Sequence, residues 1–352
     1  MSRFARKLLF VLAGAIILYG CAPKNPHSDI VWPEPPDQPR IKYVKTHRGT
    51  ADFSKGGVAA SLILGEASGT NLSKPMGVHV DRHGKVFVTD TARSDVFVFD
   101  TKNSKVYTLG DMGIKMFYKP ISIVTDDSDR MFVSDSQLDT VTALAPDGKV
   151  IQTLRPEVPF QQPTGLAVDN NKKRLYVIDT HTHDIRVFDL ETLKHIDTIG
   201  KRGKEEGEFN FPSYIAVDQT TSNIYVVDTM NGRVQIFDSE GKFIRAFGQF
   251  GDSPGMFARP RGVAVSSEGH LYVVDAAFNN VQIFNTEGRI LLGFSGYGSG
   301  RGAMILPAGI AIDNEDYIYV VDSWNSRVTV FEFLGEKSKA REAAAAQSKK
   351  KK

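Results

Sequence analysis

Only one of the 352 residues is cysteine, Cys21, so the chain can form no internal disulfide and must draw its stability from packing. Its longest apolar run, LLFVLAGAIILY at residues 8–19, is shorter than the roughly twenty residues that span a bilayer. No helical period of useful length runs through the middle of the chain. A formal net charge of +2 gives the whole molecule no general affinity for polyanions. With 41% apolar side chains there is enough material for one large core or two modest ones.

The ends differ from the rest. Residues 1–20 place Arg3, Arg6 and Lys7 before the apolar run and Gly20 after it, the layout of a secretory signal peptide. With Leu18, Tyr19 and Gly20 ahead of Cys21, the segment resembles a bacterial lipoprotein signal. That resemblance implies lipidation of Cys21 and, because Ala22 rather than Asp follows, sorting to the outer membrane. The alternative is a plain thiol at the end of an uncleaved anchor. Residues 21–39 carry six prolines and read as an extended tether, able at about 3.1 Å per residue to hold a domain roughly 50 Å from a membrane. Residues 336–352 have seven basic and two acidic side chains and read as a disordered tail, either touching anionic lipid or cell-wall polymer or merely solubilising. Setting both ends aside leaves an acidic body.

That body repeats. PMGVHVDRHGKVFVTD begins at Pro75, and related stretches begin at Pro120, Pro163, Pro212, Pro260 and Pro307, spaced 43 to 49 residues apart. Each copy holds an apolar run such as GLAVD, a polar turn, a β-branched and aromatic run such as LYVID, a short loop and an alternating run such as IRVFD. A fourth run, FIRAFG at 243–248 for example, leads through a glycine-rich loop to the next proline. Four antiparallel strands per repeat, six times over, predict an all-β, six-bladed β-propeller across residues 40–335. After VTVFEFL at 328–334 the sixth copy lacks its fourth strand, and IKYVKTH at 41–47 is expected to supply it and close the ring. VAASLILG at 58–65 is expected to form a short helical turn on the way to the first blade.

PSYIAVD, IYVVDTMNGRVQIFD and DSEGKFIRAFG, within residues 212–248, resemble the NHL repeat almost throughout, and the resemblance extends over residues 75–333. It implies the propeller fold and leaves function open, since NHL propellers include ligand-binding scaffolds, sensor domains, RNA binders and a peptide-amidating lyase.

Topology assigns every loop to a face. Below lie tight polar turns such as DRHGK and SEGK; above lie longer, apolar-containing loops such as RPEVPFQQ and QFGDSPGMFAR, the candidate binding surface. Leu72, Phe117, Phe160, Phe209, Phe257 and Met304 each stand three before a repeat proline and are assigned to packing between blades. Gly296, Gly298, Gly300 and Gly302 precede no helix and read as a connector rather than a phosphate loop. Asp90, Asp135, Asp179, Asp228, Asp275 and Asp322 end the second strand of each copy, and Asp81, Asp126, Asp169, Asp218 and Asp313 the first strand of five. Such regularity predicts carboxylates that accept backbone N–H bonds in their own turns rather than a cation ring. The variable residues that follow the upper aspartates, Arg93, Leu138, His181, Met230, Phe278 and Trp324, are expected to form a mixed apolar rim suited to capturing a protein or peptide.

The amidating lyase of the resembled family holds zinc through histidines from different blades, and a catalytic zinc wants about three converging ligands. Here only His181 and His183 can reach the upper face, both from one blade, with Asp139 and Asp184 as possible oxygen donors. His79 replaces an inner-strand alanine and is expected to be hydrogen-bonded inside. No Ser or Cys nucleophile with an adjacent base can be assigned. No metal or cofactor is therefore expected, and the acidic body and export signal oppose nucleic-acid binding. The chain is expected to be a monomeric, non-catalytic scaffold, lipid-anchored in the cell envelope, that binds an envelope protein or peptide at its upper face. The alternative is a divalent-metal lyase or hydrolase acting at the same face.

Overall fold

Blade 3 shows how the repeat becomes structure. Its strands Pro163–Asp169, Arg174–Asp179, Asp184–Asp189 and His195–Ile199 pair antiparallel in sequence order. The second strand, RLYVID, is buried from Leu175 onward because both of its faces meet neighbouring blades, whereas the outermost strand exposes Ile196, Asp197 and Thr198. The structure, a computed structural model, describes residues 29–53 and 70–350, and the propeller lies within the compact unit Val31–Lys352. The expected signal peptide, the lipidation site Cys21 and the helical turn at 58–65 lie outside the described residues.

Six such sheets form the molecule, spanning 75–108, 120–153, 163–199, 212–247, 260–294 and, for the sixth, 307–333 with an added N-terminal strand. Each innermost strand packs beside the next, and that of blade 6, Pro307–Ile312, packs beside that of blade 1, Pro75–Val80, so the ring is closed. Blades 1 and 4 therefore face each other across the central channel. The predicted closure is present: Ile41–His47 pairs antiparallel with Arg327–Phe333 as the fourth strand of blade 6.

Two expectations for the flanks need correction. The proline-rich tether does not stay free as far as residue 39, because Val31–Trp32 adds a fifth strand to blade 6, pairing with Lys42 and Ile41. The Trp32 ring sits 5.6 Å from that of Phe331 and 6.1 Å from that of Phe294, and this aromatic burial outweighs the extended bias of the prolines. Residues Glu336–Lys350 are a helix, α1, rather than a disordered tail. Four consecutive alanines, Ala343 to Ala346, favour it. Arg341 anchors it through Glu332 (2.6 Å) and Glu315 (3.0 Å), with its guanidinium 4.7 Å from the Tyr317 ring centre. Among the described residues no helix is long and apolar enough to cross a membrane.

The core lies between blades. Val177 and Phe188 of blade 3 pack with Phe132 and Val141 of blade 2, and Ile178 and Val187 of blade 3 pack with Ile224 and Phe237 of blade 4. The residues three before each proline join these layers as expected: Leu72, Phe160, Phe209, Phe257 and Met304 are buried, and Phe117 is half-buried. Close approach of inner strands explains the repeat glycine. A Cβ on Gly77 would stand 2.4 Å from the backbone oxygen of Ile121 in the next blade, and one on Gly309 would stand 2.7 Å from that of Met76.

Asp90, Asp135 and Asp275 accept backbone N–H bonds in their own turns as expected, Asp179 bonds only the approach to its proline, and all six upper aspartates reach that approach. Asp135 accepts N–H bonds from Gln137 and Leu138 in its own turn (3.0 and 3.1 Å) and from Tyr118 and Lys119 just before the blade's proline (2.6 and 2.9 Å). Asp90 and Asp275 repeat this four-donor arrangement. At Asp228 and Asp322 the turn donors are side chains, Asn231 with Arg233 and Asn325 with Arg327. Asp135→Ala would leave four partly buried N–H groups without their acceptor, at a net cost of about 0.5–1.5 kcal/mol per bond. A loss of about 3 kcal/mol or more is expected, read as a lowered urea midpoint with unchanged slope.

Candidate functional site

The channel is not open from end to end. Blade 4 reads PSY where four other repeats have Pro-x-Gly and one has Pro-x-Ser, so Tyr214 stands in the slot of Gly77, Ser122, Gly165, Gly262 and Gly309. Its buried side chain crosses to the opposite blade and donates a hydrogen bond from its hydroxyl to the backbone oxygen of Met76 (3.2 Å). Tyr214 lines the cavities on both sides of itself and so divides the channel into two cups.

The lower cup, about 610 Å³, is ringed by first-turn polar residues including Asp81, Asp126, Asp218 and Asp313. These carboxylates accept N–H bonds from their own turns, as the regularity of the repeat predicts. His79 faces this cup. Its Nε2 accepts the Thr125 N–H (3.1 Å) and lies 2.8 Å from the Thr125 hydroxyl, which fixes it as the interior hydrogen-bonding residue expected from the sequence. Burial lowers its pKa to about 4.

The upper cup, about 690 Å³, has a different wall. Met76, Ile121, Thr164, Ser213 and Arg261, each the residue after a repeat proline, surround it, with Tyr214 as the floor. Phe211, Met230 and Phe250 form part of its lip, all exposed. Thr180 and Thr229, also in the wall, are occupied: their hydroxyls donate to the backbone oxygens of Pro212 and Pro260 in the following blades. Arg261 and Arg259 flank Pro260, whose approach is pinned by Asp275 accepting the Ala258 and Arg259 N–H groups. Burial lowers the Arg261 pKa, and the neighbouring Arg259 charge adds to the shift.

Of the six residues expected to form the rim, Met230 lines this cup. His181 is one contact removed, its ring edge-on to Phe211 at 6.0 Å. Arg93, Leu138 and Trp324 are exposed, Trp324 at 70%, and Phe278 is half-buried; none of these four lines the cup. Arg93 donates from Nε to the backbone oxygen of Asn71 (3.1 Å). His183 is buried in the left-handed position of its turn (φ 60°), the slot of Gly232, and its Nδ1 accepts the Phe211 N–H at 3.0 Å. It thereby joins blade 3 to the entry of blade 4, and burial, followed by the charge of Arg202, lowers its pKa. Among the described residues no group of three His, Asp or Glu side chains converges as a metal site. The glycine-rich loop near residue 300 is held by Arg327, which donates to the backbone oxygens of Ser299, Gly300 and Ala303 at 2.7–3.0 Å.

Fold and channel together define a six-bladed propeller with a plugged axis. The chain belongs to the family described as the Teneurin NHL domain, whose model matches residues 103–303, and a model described as a 6-bladed beta-propeller matches residues 263–345. No curated protein matches the sequence. Among solved structures it is similar to a streptogramin B lyase at 11% identity, with 74% of this chain and 94% of that one covered and a TM-score of 0.56. A catalytically inactive virginiamycin B lyase from Staphylococcus aureus with quinupristin gives 12% identity, 74% and 95% coverage and a TM-score of 0.54. An auxiliary nutrient binding protein from Bacteroides thetaiotaomicron gives 15% identity, 74% and 69% coverage and a TM-score of 0.60. At such identities the likeness shows the fold alone.

The His79 environment sets a pH dependence. Because its folded pKa, about 4, lies below the ordinary 6.5, the unfolded chain binds the extra proton between those values. His79 therefore contributes stability above about pH 6.5 that is lost as the pH falls towards 4. His47, also lowered to about 4, and the carboxylates act over an overlapping range, so the wild type must be compared with His79→Gln. Urea midpoints at pH 7 and pH 4.5 should differ less in the variant.

Proposed function

We propose that the protein is an exported, lipid-anchored propeller that captures a protein or peptide at its upper face without catalysing a reaction on it. The observation that carries this reading is the blind upper cup: open at the face, floored by Tyr214 and lipped by the exposed Phe211, Met230 and Phe250. An apolar-lipped depression with a few polar groups in its wall suits binding. The chemistry of the wall favours binding over catalysis. The hydroxyls of Thr180 and Thr229 are committed to backbone oxygens, that of Thr164 pairs with Thr180, and His183, the histidine closest to the cup through Phe211, accepts a backbone N–H. The neighbouring structures fit either class, two being lyases and one a nutrient binding protein.

Selection of displayed peptides on the immobilised protein tests the reading. Wild type should enrich a defined set of sequences, and a Met230→Glu, Phe250→Glu double variant with unchanged melting temperature should lose at least tenfold of that enrichment. Equal enrichment by both would remove the cup from the binding surface. Stoichiometric zinc in the purified protein, lost in His181→Ala, would replace the scaffold by the metal-dependent lyase or hydrolase.

Placement in the envelope rests on the sequence around Cys21, with Ala22 favouring the outer membrane. Wild type should partition with the membrane fraction and Cys21→Ser with the soluble fraction; soluble wild type would refute the anchor.

A further inference from the structure

We propose that the upper cup takes the C-terminal carboxylate of a peptide with apolar last residues, held by the guanidinium groups of Arg261 and Arg259. This rests on the binding reading above and names the chemistry of what is bound.

The starting point is a contrast among arginines. Arg130, Arg186, Arg233 and Arg327, all largely buried, each meet a carboxylate at 2.6–2.9 Å. Arg261 is half-buried between the apolar side chains of the cup, yet among the described residues its guanidinium has neither a hydrogen-bond nor an ion-pair partner. The same holds for the side chain of Arg259, which lines the same cup. Desolvating a cation without a partner is costly, and placing a second cation beside it adds to the cost. An anion entering the cup would relieve both terms, and a guanidinium pair offers the forked donors that a carboxylate accepts in bidentate fashion. The sequence position is itself unusual, since the equivalent residues in the other blades are Met76, Ile121, Thr164, Ser213 and Ala308, none of them charged.

Shape and the remaining polar groups decide what carries the carboxylate. Tyr214 closes the cup, so a chain end can reach Arg261 more readily than the middle of a chain. Met76, Ile121 and the lip at Met230 and Phe250 offer apolar contacts for the last side chains. The Gln162 amide and Ser136 hydroxyl also line the cup, and among the described residues neither has a side-chain partner. A hydrocarbon tail would bury these groups unpaired, whereas peptide amides supply both donors and acceptors. The carboxylate-bearing ligand is thus a peptide end rather than a fatty acid.

The test uses one pool of random apolar hexapeptides synthesised twice, as C-terminal acids and as C-terminal amides, with retention on the purified protein quantified by mass spectrometry. Acids should be retained at least tenfold over amides, the scale of one lost charge-assisted hydrogen bond. That preference should fall to near unity in Arg261→Met and weaken in Arg259→Met, whose exposed side chain can be replaced without disturbing the fold. Equal retention of acids and amides by wild type would overturn the carboxylate assignment while leaving peptide capture standing. Retention of neither pool would overturn both. Displacement of retained peptide acids by octanoate at lower concentration than by unlabelled peptide acid would overturn the peptide assignment in favour of a fatty carboxylate.

Discussion

The propeller depends on a carboxylate at the top of each blade that ties two distant pieces of backbone together. A strand can end in a turn without such a group, but the segment leading into the same blade's inner strand would then hold its N–H groups with no protein acceptor. By accepting N–H bonds from the approach to its own proline, and in five of the six blades bonds from its own turn as well, each upper aspartate fixes the height at which the innermost strand enters. Everything nearer the axis follows from that height, including the close inner-strand contacts that require glycine and the position of the residue after the proline on the channel wall.

That dependence explains why the channel can be specialised cheaply. The residue after the proline tolerates wide variation, with Met, Ile, Thr, Ser, Arg and Ala occupying it around one ring. The glycine after it is far more constrained, and its replacement in blade 4 by Tyr214 turns a through-channel into two cups of different chemistry. A single residue thus separates a face built from satisfied turn carboxylates from one that presents the guanidinium groups of Arg259 and Arg261, without partners among the described residues, beside apolar side chains.

The blades, both rings of aspartates, the inter-blade apolar residues and the strand Ile41–His47 that completes blade 6 were legible because each is enforced once per repeat, or by the lack of one strand in a count of four. The cup was harder to read. Its wall draws residues from five different blades, so Met76 and Arg261 stand nearly two hundred positions apart, and no local pattern joins them. A signal was nonetheless present in the departure of PSY from Pro-x-Gly and the charge in PRG, two variations that matter only once the proline is known to sit at the channel mouth. The turns after the second strands are conspicuous in sequence, yet of their variable residues only Met230 lines the cup, and Arg93, Leu138, His181, Phe278 and Trp324 do not. At the C-terminus, basic charge drew the expectation of disorder, while the helix-forming alanines and the anchoring of Arg341 decided the outcome.

Closure by Ile41–His47 gives the fold a particular order of events. Val31–Trp32 aside, this strand precedes the other strands of the six blades, yet its partner Arg327–Phe333 comes nearly three hundred residues later, so the ladder that seals the ring is the most non-local among the described strands. Until the end of the chain is available, one early strand has no partner; until the early strand docks, the last blade presents a bare edge of RVTVFEF. The two chain ends therefore act as a latch, and an incomplete product, whether truncated at the start or the finish, would expose a sticky strand rather than a slightly smaller propeller.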